Sequence, residues 1–199
     1  MARRDNPTTP GGEAFATLIA ATRSNAPWAF ERLFTTYAPR VRAYVRTRGS
    51  VEPDELTNDV FLAVFTSLDR FTGDEAAFRS WVFTIARNRL VDERRRLERR
   101  VVTVSSGVLG SPDAVGGDVE AEALANITTD WVADQLAKLS PDQRDVLLLR
   151  IVADCTIDQI AGIVGKRPGA VKALQRRGLA ALKTILDRDS VPLDQPADV

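Results

Sequence analysis

This chain predicts an all-α fold of two helical domains, and three observations carry the prediction. Apolar residues recur at three- and four-residue intervals through most of the 199 residues, the spacing that lines one face of an α-helix. No window alternates at period two for long; Val101–Val104 is the best strand candidate, and it is short. Between the helical stretches, Ser105–Val119 holds four glycines, a proline, two aspartates and several serines, the composition of a flexible connector.

Taken in order, Glu13–Arg23 reads as a short helix with Phe15, Leu18 and Ile19 on one face. The next runs from about Pro27 to Arg48, striped by Trp28, Phe30, Leu33, Phe34, Tyr37, Val41 and Tyr44. Pro27 suits a first helical turn, whereas Pro39 is expected to kink or split this helix before Gly49-Ser50 ends it. Asp54–Asp69 follows, with Leu56, Val60, Phe61, Val64, Phe65 and Leu68 inward, then a glycine loop at Phe71–Asp74. A long helix extends from about Glu75 to Arg99. Helices resume at about Ala121–Leu139, Pro141–Val152, Ile157–Val164 and Pro168–Leu186. Ser140 is placed to cap the second of these, with Pro141 at its first position. The expected organisation is a disordered terminus at 1–12, a domain at 13–100, an acidic connector at 101–122, a second domain at 123–186 and a frayed tail at 187–199.

Composition narrows the chemistry. The chain has no histidine, which removes the commonest general base and the commonest metal ligand. Gly162–Arg167 lacks the spacing and the hydroxyl residue of a phosphate loop, so no catalysis, metal or cofactor is expected. Cys155 is alone and falls in an apolar stretch read as helical, so it reads as a buried small residue. No stretch approaches the roughly 18 apolar residues of a membrane span, and the polar N-terminus lacks a signal core. A cytoplasmic protein without membrane insertion is the expectation.

The formal net charge of zero hides an uneven distribution. Residues 1–100 carry 17 basic and 13 acidic side chains, and residues 138–183 carry nine against four. Between them, residues 101–137 hold six acids and no base: Asp113, Asp118, Glu120, Glu122, Asp130 and Asp134. Two basic blocks fit for phosphate flank an acidic one.

Thr156–Arg177 carries a helix-turn-helix pattern. Ala161 is the small residue where the second helix crosses the first, and Gly165 supplies the left-handed turn. Ile160, Val164, Val171 and Leu174 pin the pair, and Pro168 presets the second helix. No acid occurs from Lys166 to Lys183, whereas an ordinary solvated face mixes signs. In a major groove, Lys172, Ala173 and Arg176 would face bases, with Gln175 at the margin; Arg167 and Arg177 suit phosphates.

Four segments then resemble one family, the extracytoplasmic-function (ECF) sigma factors of the sigma-70 family. Phe30-Glu-Arg-Leu-Phe-Thr-Thr-Tyr37, with Val41 and Tyr44, resembles the opening helix of sigma region 2. Glu52-Pro-Asp-Glu-Leu-Thr-Asn-Asp-Val-Phe-Leu62 resembles the acidic helix that docks on the polymerase clamp. Phe78-Arg-Ser-Trp-Val-Phe-Thr-Ile-Ala-Arg-Asn-Arg-Leu-Val-Asp92 is similar to the promoter-melting segment. Leu139-Ser-Pro-Asp-Gln-Arg-Asp-Val-Leu-Leu-Leu149 with the helix-turn-helix resembles sigma region 4. The resemblance implies core RNA polymerase and promoter DNA as partners, and an anti-sigma factor as a further one.

It also assigns residues. Asp54, Glu55, Asn58 and Asp59 would bind core polymerase, although the family's usual Gln-Glu is Asn58-Asp59 here. Phe71, Thr72, Asp74, Glu75, Arg79, Arg87, Asn88, Arg94 and Arg95 would contact the minus-ten element. There the loop would offer polar groups and Phe71 and Phe78 an apolar wall for an unstacked base, with Trp81 in the core. The arginines suit phosphate along the duplex edge, the Arg94–Arg96 run reading equally as a solvated helix end. Arg167, Lys172, Ala173, Gln175, Arg176 and Arg177 would contact the minus-thirty-five element, where Ala173-Leu174-Gln175 replaces a frequent Ser-Arg-Leu. The resemblance also implies that the acidic connector threads into the polymerase's RNA channel and imitates RNA there. A helix-turn-helix regulator acting without polymerase is the alternative; it leaves Phe30–Asp92 unexplained, and a helical adaptor or enzyme fits less well.

Overall fold

The computed structural model describes residues 12–103 and 131–189, and among these every regular element is helical. The first domain comprises α1 (Gly12–Arg23), α2 (Pro27–Thr47), α3 (Pro53–Ser67) with a 3₁₀ turn at Leu68–Arg70, and α4 (Glu75–Thr103). In the second, α5 occupies residues 131–137, followed by α6 (Pro141–Ile151), α7 (Ile157–Val164) and α8 (Pro168–Asp189). The expectations for residues 1–11, for most of the connector with its acids through Asp130, and for the tail from residue 190 lie outside the described residues. Among those described, no helix is long and apolar enough to cross a membrane.

Caps and breakers set the helix ends. Pro27 and Pro53 occupy first-turn positions, where the missing N–H costs nothing. Asp74 caps α4 by accepting the Ala77 amide at 2.8 Å. α6 and α7 each begin with a reciprocal capping box, Ser140 with Gln143 and Thr156 with Gln159.

Three expectations are corrected. Pro39 does not split α2, which runs unbroken from Pro27 to Thr47. Losing a helix hydrogen bond at proline costs about 3 kcal/mol, but Leu33, Tyr37, Val41 and Tyr44 are buried on both sides of it. At roughly 1.5–3 kcal/mol for each large side chain, that burial wins. Pro39 itself sits on the exposed side, where water can take the released carbonyl. Of the strand candidate Val101–Val104, the described residues Val101–Thr103 continue α4 instead of starting a strand. Cys155 is buried, at 1% exposure, but lies in the α6–α7 loop and not in a helix.

Burial pushes the Cys155 thiol up to about 11, with Asp154 adding to the rise and Arg79 and Arg150 opposing it. The unfolded chain therefore ionises first, and stability falls as pH rises from the ordinary 9.0 through about 11. Native protein should resist iodoacetamide at about pH 8 and react fully once denatured. Rapid labelling of the folded protein would contradict this placement.

The first domain packs around Phe78, which is fully buried. Its ring lies 5.4 Å from that of Phe15, 5.3 Å from Tyr37 and 5.3 Å from Phe71. The second domain buries Val146, Leu147, Leu149, Ile160 and Val171. The two domains meet where α4 packs on α7, and Tyr44 of α2 donates to Asp145 of α6 at 2.6 Å.

Candidate nucleic-acid interface

The α7–α8 turn is built as its sequence requires. Gly165 caps α7 at φ 67° and ψ 33°, the left-handed region that glycine enters without a Cβ clash. Ile160 and Val171 are fully buried and Ala161 nearly so, which locks the two helices together. Lys166 reaches across the turn to Asp142 at the start of α6, Nζ to Oδ2 2.9 Å. This leaves Arg167, Lys172, Arg176 and Arg177 exposed, with Ala173 and Gln175 half-buried beside them. Gly178 was not singled out from the sequence. A Cβ there would stand 3.1 Å from a Leu147 methyl, so it allows α8 to lie close on α6. A glycine inside a strong helical pattern was the available signal.

The other basic surface is on α4. Thr72, Asp74, Asn88 and Arg95 are exposed, and Glu75, Arg79, Arg87 and Arg94 are partly buried. Phe71, 7% exposed, stacks on Trp81 at 5.2 Å and 25° and meets Phe78 edge-on. Its ring belongs mostly to the core. Glu75 accepts the Tyr37 hydroxyl at 2.9 Å; burial first, then Glu75, raises that hydroxyl above its ordinary value. Arg94 donates to the Arg48 carbonyl at the end of α2, so one arginine of the basic run has a structural partner. Arg23, missed by sequence reasoning, donates to the carbonyls of Leu68 and Phe71. It thereby fixes the loop from α1, and an open recess of about 290 Å³ lies between Arg23, Ile19, Phe71, Thr72 and Gly73.

The four acidic-face residues of α3 divide between two grooves. Asp54 and Asn58 line one against α2, with Pro39, Arg42 and Arg46 opposite. Asp54 pairs with Arg42, whose hydrogen bond holds its carboxyl below the usual range. Glu55 and Asp59 line the other with Glu52, Arg89 and Glu93. There Glu55 is raised by sharing a hydrogen bond with Glu52, with Asp59 and Glu93 adding their charge. Exposed Val51 and Leu62 lie on the same helix or just before it, so the acids flank apolar surface.

This arrangement matches known proteins along most of its length. Residues 33–100 match the family model for sigma-70 region 2, and residues 129–182 match that for sigma-70 region 4. The ECF RNA polymerase sigma factor BldN of Streptomyces coelicolor is 28% identical over 175 residues, covering 87% of this chain and 66% of that protein. The ECF RNA polymerase sigma factor SigL of Mycobacterium tuberculosis is 34% identical over 140 residues, covering 70% of this chain and 77% of its own. Among solved structures, the sigma factor RpoE in complex with the anti-sigma factor NepR from Bartonella quintana shares the fold. It superposes with a TM-score of 0.59 at 23% identity, over 80% of this chain and 98% of the other. Two helical domains, each matching its own sigma region in the right order, with a helix in the second whose first five turns carry exposed basic residues and no acid, lead to one assignment. The chain belongs to the sigma-70 family, as an RNA polymerase sigma factor of the extracytoplasmic-function group.

Proposed function

We propose that this sigma factor divides promoter recognition between its two domains while α3 holds core RNA polymerase. The observation that carries this reading is the exposed face of α8's N-terminal part, free of acids from Pro168 to Leu186, which follows the left-handed turn at Gly165. Lys172 and Arg176 address base edges of the minus-thirty-five element, with Ala173 and Gln175 alongside, while Arg167 and Arg177 set register on phosphates. In the first domain, Thr72 and Asp74 beside the recess meet an unstacked minus-ten base, and Arg79, Arg87, Asn88 and Arg95 follow the strand's phosphates. Phe71 serves as the recess wall through its ring edge. On α3, Asp54, Glu55, Asn58 and Asp59 with exposed Leu62 offer an acidic and apolar face to a basic surface of the polymerase. An anti-sigma protein that covers either domain is the expected inhibitor.

The test is transcription in vitro with core polymerase on fragmented genomic DNA, with and without the protein. RNA starts that depend on the protein and share two upstream blocks are expected. Duplex binding by the protein alone, without such starts, would instead mark a polymerase-independent regulator.

A further inference from the structure

Asp145 lies at the centre of the contact between the domains. It sits on α6 and is 3% exposed, yet its partners all come from the first domain, between 58 and 101 residues away in sequence. Tyr44 donates to Oδ1 at 2.6 Å, Arg48 Nε lies 3.1 Å from the same oxygen, and Arg87 Nε lies 3.2 Å from Oδ2. Tyr44 and Arg48 are themselves buried. A buried carboxylate is tolerated only when its oxygens are paired and hydrogen-bonded, and here the other domain supplies all of that pairing. Nearby, Arg79 of α4 lies 3.5 Å from Asp154 in the α6–α7 loop, and the Gln159 side chain donates to the Ala76 carbonyl at 3.0 Å.

Arg79 and Arg87 are also side chains that would meet phosphate on the minus-ten strand. A carboxylate and a phosphate oxygen ask the same thing of a guanidinium, and one guanidinium fork serves one of them at a time. Lys172, Arg176 and Arg177 of α8 stay exposed, so of the two basic surfaces only that of α4 is engaged, at Arg79 and Arg87.

We propose that Asp145 and Asp154 are a latch that closes the second domain onto the first by taking the place of nucleic-acid phosphates on Arg87 and Arg79. This rests on reading those arginines as nucleic-acid contacts. Asp145 is the main element, because removing it leaves Arg48 buried without its charge partner, and separating the domains returns that arginine to water. Asp154, itself exposed, adds a weaker pair with the partly buried Arg79.

The experiment uses the full-length chain without polymerase. Small-angle scattering reports domain separation, and anisotropy of a labelled single-stranded oligonucleotide reports exposure of α4. Asp145→Asn should enlarge the radius of gyration and tighten oligonucleotide binding on the order of tenfold, as removal of a dominant closed state requires. The gain should vanish when Arg87→Ala is added. Asp154→Asn should act in the same direction with a smaller effect. It alters an exposed residue at φ 49°, a conformation asparagine adopts readily, so it folds even if the buried variant does not. An unchanged radius in both variants overturns the latch. An enlarged radius with unchanged affinity overturns the masking and the nucleic-acid role of the two arginines together, while polymerase-dependent transcription independently tests the sigma reading.

Discussion

Phe78→Ala should lower the stability of the first domain by about 3–5 kcal/mol, the range for deleting a buried aromatic ring. For a domain of this size that is a fall in Tm of more than about 10 °C. The expectation follows from where the ring sits. It is fully buried, and its neighbours come from α1, α2, the loop before α4 and α4 itself through Phe15, Tyr37, Phe71 and Trp81. Such a void has walls from four segments, which cannot all collapse into it together. Calorimetry of the variant settles the point: a shift of only a degree or two would mean that the domain is organised around another residue.

The second large effect is on transcription. Alanine at Lys172 or Arg176 should each reduce promoter-dependent initiation by about five- to 150-fold, since a good contact to a base edge is worth about 1–3 kcal/mol. Arg177→Ala should behave differently, weakening binding to all sequences alike and reducing the salt slope by about one. Quantifying transcripts from a mapped promoter at several salt concentrations separates the two classes. If all three variants respond in the same way, α8 is not reading bases with this face.

What the sequence made legible was local. Helical periodicity, the Ser140–Pro141 start and Gly165 each act within a few residues, and each appears where those residues place it. The helix-turn-helix was readable because a small residue, a glycine and four apolar anchors determine its geometry almost unaided. What escaped depended on partners distant in the chain. Pro39 looks like a breaker until the side chains packed on both sides of it are counted. Phe71 looks like an exposed wall until Trp81 and Phe78 cover it. Val101–Thr103 has strand composition, yet it follows a helix already propagating from Glu75, and extension adds one hydrogen bond per residue without a new nucleus. Asp145 reads as one more acid on an amphipathic helix, and nothing near it in sequence announces Tyr44 or Arg48. Of the candidate site, the exposed α8 cations were readable from their sign pattern. The separation of α3's acids into two grooves was not, because α2 and α4 on either side decide it.

The contact through Asp145 joins two parts of one polypeptide, and this sets how it responds to its surroundings. Closure is a unimolecular equilibrium, so its balance does not depend on how much of the protein is present. An inhibitor bound from outside loosens as protein concentration falls; this contact does not. It yields only to something that prefers one of the covered surfaces, and it takes its share of that partner's binding energy each time.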